Sequence, residues 1–122
     1  MDAMWKLSIG RDFQGGVAIL TIAGRIGSET SGQLLDALVG AIDEGHRRIL
    51  VDLGRVDYVS SAGLLALDAA AGRLYGLGGA LVLCAVCEPV RVVLEMAGVL
   101  TDLPVESSRE AGVARLCRKA AS

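Results

Sequence analysis

The chain has 122 residues, enough for one domain with a sizeable core. Apolar residues make up 52% and charged residues 21%, a balance that excludes an intrinsically disordered chain. The formal net charge is −2, so no global basic field exists to hold a nucleic-acid backbone, and Trp5, Phe13, Tyr58 and Tyr75 are too few for a base-stacking platform.

Taken in chain order, Trp5-Lys6-Leu7-Ser8-Ile9 alternates apolar and polar residues, as a half-buried strand does. Gln14-Gly15-Gly16 reads as a turn into a second strand, Val17 to Ala23, and the two form a hairpin. Ser28 to Glu44 reads as an amphipathic helix, with Leu34, Leu35, Leu38, Ala41 and Ile42 in one stripe. Thr30 and Gln33 have the spacing of a capping box, and Gly45 suits the position just past the helix end. Ile49 to Leu53 is a short apolar run typical of a buried strand, followed by a loop from Gly54 to Ser60.

Ser61 to Leu77 is apolar almost all round, broken by Asp68 and Arg73. It predicts a largely buried helix that Gly63 and Gly72 allow to approach a sheet closely. Gly78-Gly79 turns the chain into a strand from Ala80 to Ala85. Pro89 opens the next helix, with Val90, Val93, Leu94 and Ala97 on one face and Gly98 at its end. Leu103 to Glu106 reads as an edge strand. Ser107 with Glu110 forms a second capping box before a last helix carrying Val113, Leu116 and Cys117 on one face. This order predicts an α/β fold, with a central mixed sheet of four or five strands and about four helices mainly on one face. No repeat or linker divides residues 1–122, so a single domain is expected.

The N-terminus lacks a basic region followed by an apolar stretch, so no secretory signal is visible. The longest uncharged run, Leu74 to Cys87, has 14 residues and is interrupted by glycine, too short to span a bilayer. A cytoplasmic protein without membrane insertion is expected. Cys84, Cys87 and Cys117 are an odd number of cysteines. Cys84-Ala85-Val86-Cys87 spells C-x-x-C, but at a strand end and with neither Gly nor Pro between the thiols, and a zinc site lacks further ligands. We read the cysteines as structural and expect no metal and no cofactor. His46 lies past a helix end beside Arg47 and Arg48, and Ser60 and Ser61 have no visible base and orienting acid. Asp52 and Asp57 read as strand-end and loop carboxylates, and no G-x-x-x-x-G-K-[ST] loop is present. The sequence does not read as an enzyme.

The most informative stretch is Val51-Asp52-Leu53-Gly54-Arg55-Val56-Asp57-Tyr58-Val59-Ser60-Ser61-Ala62-Gly63-Leu64-Leu65. It reads as strand, loop and then two serines at a helix start, where a serine is either a cap or a modifiable hydroxyl. The segment resembles the signature of the STAS family (sulphate transporter and anti-sigma factor antagonist), Asp-Leu-Ser-x-Val-x-Phe/Tyr-Ile/Met-Asp-Ser-Ser/Thr-Gly-Leu. Asp52, Leu53, Val56, Tyr58, Val59, Ser61, Gly63 and Leu64 carry the match. Gly24-Arg25-Ile26, the strand Gly79 to Leu83 and the stretch Val90 to Leu100 also resemble the family.

The resemblance implies an anti-sigma factor antagonist that works by partner switching. It would bind an anti-sigma factor with serine kinase activity and be released when that partner phosphorylates Ser61. Ser60 is the second candidate acceptor. Three positions depart from the pattern: Ser60 stands where the family has Asp, Gly27 where it has Asp after Gly-Arg-Leu, and Ala62 where it has Ser/Thr. Asp57, Tyr58, Ser60, Ser61, Gly27 and Ser28 are expected to share the partner surface, because loops after parallel strands gather at the strands' C-terminal ends. The alternatives are a STAS accessory subunit of a lipid-transporting ABC system, a stressosome-type scaffold, and a nucleotide-binding STAS module. A weak homodimer stays open.

Overall fold

The central strands β2, β3 and β4 form where β-branched and leucine residues run together, and the helices where leucine or valine recurs at helical spacing. The computed structural model describes residues 7–98 and 103–121. Trp5, Lys6, Val99 and Leu100, which figure in the sequence reading, lie outside the described residues. The elements are β1 (Ser8–Gln14), β2 (Val17–Ile26), α1 (Ser31–Asp43), β3 (Arg48–Val59), α2 (Ser61–Gly76), β4 (Ala80–Cys84), α3 (Glu88–Ala97), β5 (Val105–Glu106) and α4 (Arg109–Ala121). The strands form one sheet in the order β1-β2-β3-β4-β5. β1 runs antiparallel to β2 across the Gly15-Gly16 turn, and the other neighbours are parallel.

The sheet divides the core in two. Leu34, Leu38, Leu64, Leu67, Leu74, Val90 and Leu94 bring α1, α2 and α3 onto one face, against Leu20, Ile22, Ile49, Val51, Leu53, Leu81 and Leu83. On the other face α4 alone sets Val113 and Leu116 on Val17, Ile19, Leu50, Val82 and Cys84. The expected mixed sheet with helices mainly on one face is therefore present. On this face a cavity over Thr21, Ala23, Asp52, Gly54 and Arg55, beside Arg109 at the start of α4, leaves the distal ends of β2 and β3 open.

The segment expected to be a loop after Leu53 is strand as far as Val59. β2 likewise runs past Ala23 to Ile26 and supplies the pairing partner. Along this stretch Thr21 and Ala23 oppose Asp52 and Arg55, and Gly24 and Ile26 oppose Val56 and Val59. Two residues of β2 are thus twice matched by three of β3, the mark of two successive bulges. The inward residues become Leu53, Val56 and Val59, while the pairs Gly54/Arg55 and Asp57/Tyr58 are exposed. A strand with period three rather than two has no simple alternation to detect.

Other expectations shift by small, explicable amounts. α1 starts at Ser31, not Ser28, and Thr30 makes no side-chain cap. Thr30 Oγ1 instead accepts from the Gly27 N–H at 2.9 Å and donates to the Arg25 carbonyl at 2.8 Å. Gln33 does not complete a capping box; its amide holds Leu7, accepting from its N–H and donating to its carbonyl. Before α4 the cap is Ser108 rather than Ser107, its hydroxyl accepting from the Ala111 N–H at 3.1 Å. α2 is not buried all round: Leu65 is 69% and Tyr75 84% exposed. Gly63 does face the sheet, but a side chain at Gly72 would meet nothing within 4 Å.

Candidate functional site

The C-terminal ends of β2 and β3 are locked side by side. Ile26 pairs with Val59, and the Ser60 N–H donates to the Ile26 carbonyl at 2.7 Å. Gly27 and Ser28 follow on one strand and Ser60 and Ser61 on the other. Asp57 and Tyr58 are the exposed pair just before. The six residues singled out in the sequence thus collect at one edge of the domain.

Within this edge the two serines differ in their hydrogen bonding. Ser60 has an extended backbone, and its hydroxyl accepts from the Gly63 N–H at 3.2 Å, so it is the N-cap of α2. The next residue, Ser61, is the first residue of α2 and is exposed, and its hydroxyl has no hydrogen-bond partner among the described residues. No acidic residue lies in the first turn of α2, so the positive end of its dipole is not offset from within the helix.

The β2–α1 turn is held from inside. Gly27's carbonyl accepts from the N–H groups of Thr30 and Ser31, and Thr30 is 2% exposed. Ser28 is exposed, and its hydroxyl donates to Glu29 at 3.2 Å. Tyr58 packs under Arg25, whose guanidinium carbon stands 4.8 Å from the ring centroid. Sequence reasoning missed Arg25 and Glu29 as members of this edge. In the sequence Arg25 stands only within Gly24-Arg25-Ile26, and its contact with Tyr58 depends on β-bulge register that no local pattern encodes.

The edge offers exposed polar groups and a free hydroxyl. His46 lies elsewhere, against Phe13 at 5.0 Å between ring centroids, with Nε2 3.9 Å from Glu44. Asp52 and Asp57 do not form a pair: Asp52 bonds Arg109 at 2.9 Å on the α4 face, while Asp57 is exposed. Among the described residues no group of His, Cys, Asp and Glu could hold a metal ion.

The cysteines occupy three environments. Cys84 is fully buried under α4, and burial, reinforced by the nearby Asp52 charge, pushes its thiol up to about 12. Cys87 is half-buried at the start of α3 and donates to the Val56 carbonyl at 3.3 Å, and Cys117 is half-buried near Gly15. Native protein treated with a maleimide at pH 8 should therefore label at Cys87 and Cys117 while Cys84 stays unmodified, as read by peptide mapping. Because the folded-state value is raised, Cys84 favours the native state fully below pH 9, and this contribution declines as pH rises from 9 towards 12. Rapid labelling of Cys84 in folded protein would contradict both statements.

Sheet order, helix placement and a serine-capped α2 start beside the ends of β2 and β3 together define a STAS-type domain. The chain belongs to the STAS family: the family model described as "Mlab, STAS domain" matches residues 9–118. It is 42% identical over 99 residues to BtrV of Bordetella bronchiseptica, provisionally named an anti-sigma factor antagonist, covering 81% of this chain and 85% of that protein. Its fold matches the crystal structure of an anti-sigma factor antagonist from Mycobacterium paratuberculosis with a TM-score of 0.83, at 19% identity over 90% of this chain and 93% of the other. It also matches the Bacillus cell fate determinant SpoIIAA in its phosphorylated form, with a TM-score of 0.68 at 15% identity over 88% of this chain and 98% of the other. Among the described residues no helix is long and apolar enough to cross a membrane.

Proposed function

We propose that the chain, as one STAS domain over residues 1–122, is a cytoplasmic, non-catalytic anti-sigma factor antagonist. It binds an anti-sigma factor of the serine kinase type and is released by phosphorylation of Ser61. Transcription is regulated through that exchange of partners. The observation that carries this reading is the division of labour at the start of α2: Ser60's hydroxyl is engaged as the cap, whereas Ser61's hydroxyl is exposed and unengaged. The 42% identity to BtrV supports the antagonist role. Asp57, Tyr58, Gly27, Ser28 and Ser60 are proposed to flank Ser61 in the partner surface, with Arg25 and Glu29 added by the geometry. Ser60 replaces the family's Asp with a neutral cap, which preserves the helix start and removes a carboxylate from beside the acceptor.

The test is capture of partners from the native host, followed by phosphorylation of wild type, Ser60→Ala and Ser61→Ala with the captured kinase and ATP, mapped by mass spectrometry. Phosphate on wild type and Ser60→Ala, and none on Ser61→Ala, is expected. Phosphate that persists in Ser61→Ala and vanishes in Ser60→Ala would move the acceptor by one residue. Capture of an ABC-type ATPase with no kinase would replace this reading with the transport-subunit one.

A further inference from the structure

We infer that the open part of the α4 face is a binding site for a small oxyanion, a phosphate or a carboxylate, and that Arg55 is its principal ligand. A cavity of about 550 Å³ lies there, lined by Ser8, Gly10, Thr21, Arg55, Arg109 and their neighbours. Its floor is low because Gly10, Ala23, Gly54 and Ala85 carry little or no side chain.

The chemistry follows from which polar atoms are already used. Arg109 is fixed in place: Nε and Nη2 donate to Asp52 Oδ2 at 3.2 and 2.9 Å, and Nη2 donates to Thr21 Oγ1 at 2.8 Å. Asp52 Oδ1 accepts from the Gly54 N–H at 2.9 Å, so both carboxylate oxygens are engaged. Arg55, by contrast, is exposed and has no partner among the described residues. It reaches this side because the first bulge of β3 sets Gly54 and Arg55 together on the outer face. With one carboxylate against two guanidinium groups, the cavity carries a net positive charge. What it still offers is donors: the Arg55 fork, Nη1 of Arg109 and the hydroxyls of Ser8 and Thr21. A surplus of donors around a positive centre is satisfied by an oxyanion. Ala85 holds φ at +59°, a strained conformation for a residue with a side chain.

The proposal does not rest on phosphorylation of Ser61. It is tested by titrating the 15N-labelled full chain with inorganic phosphate and, separately, with citrate, following amide and arginine Nε signals. Saturable shifts at Gly54, Arg55 and Thr21 with either probe are expected, and which probe saturates identifies the ligand class. Arg55→Gln should weaken that binding about tenfold, the loss of one charge-assisted contact. Arg118→Gln, which removes the same charge from an exposed site on α4, should leave it unchanged. Absence of saturable shifts with both probes would overturn the inference. So would equal weakening by the two substitutions, or shifts confined to residues 61–63 at the start of α2.

Discussion

Gly63→Val should destabilise the domain by about 3 kcal/mol and displace the start of α2, while Gly72→Ala should stabilise it by about 0.5–1 kcal/mol. Both glycines lie in α2, so local propensity alone would treat them alike. A Cβ at Gly63 would stand 2.5 Å from Ile26 Cγ2 and 3.0 Å from Val59 Cγ1. Those two side chains are the paired, buried ends of β2 and β3. They cannot yield without opening the strand ends that hold Ser60 through its 2.7 Å bond to Ile26. Overpacking a close-packed site forces off-rotamer side chains or a helix shift, and either would also move Ser61. At Gly72 nothing lies within 4 Å, so alanine simply relieves the glycine penalty in an exposed helix. Urea unfolding of both variants measures the difference, and a Gly63→Val midpoint equal to wild type would refute the packing argument.

Phosphorylation of Ser61 should lower affinity for the anti-sigma partner at least about 100-fold with little change in the domain's own melting temperature. The phosphate adds about 1.5 to 2 negative charges at neutral pH. Within the domain it sits at the start of α2, where the dipole favours an anion and the first turn holds no carboxylate. Across an interface the same charge must be desolvated or face like charge, which costs several kcal/mol. Release is therefore expected to act through the interface, without refolding. Ser61→Glu should reproduce only part of the loss, because a carboxylate carries less charge and fewer acceptors. Titration calorimetry of unmodified, phosphorylated and Ser61→Glu forms against the captured partner gives the ranking. Equal affinity of the first two forms would exclude phosphorylation as the switch, and a large fall in melting temperature would indicate release by unfolding.

Much of the architecture was legible in local patterns. The leucine stripe of α1, the Pro89 and Gly98 boundaries of α3, the Gly15-Gly16 turn and the run Ile49 to Leu53 each encode their element through short-range sterics and periodic burial. The stretch from Asp52 to Leu64 holds the start of α2, and Gly27 and Ser28 follow the end of β2, which pairs with β3 at Ile26 and Val59. These segments lie together because strand-to-helix connections after parallel strands fall on one side of the sheet.

Tertiary structure decided the rest, because the deciding contacts join residues far apart in sequence. Whether 54–59 is loop or strand depended on the extension of β2 to Ile26 and on two bulges, which are features of pairing and not of either strand alone. Which serine caps and which is free depended on the Gly63 N–H finding the Ser60 hydroxyl once α2 had docked on Ile26 and Val59. The cavity beside Arg55 needed β1, β2, β3 and the start of α4 in one place. Sequence by itself determined the family and the element order. Register, docking and the assignment of each hydrogen bond belonged to the folded chain, since a donor's partner is chosen by geometry that exists only after packing.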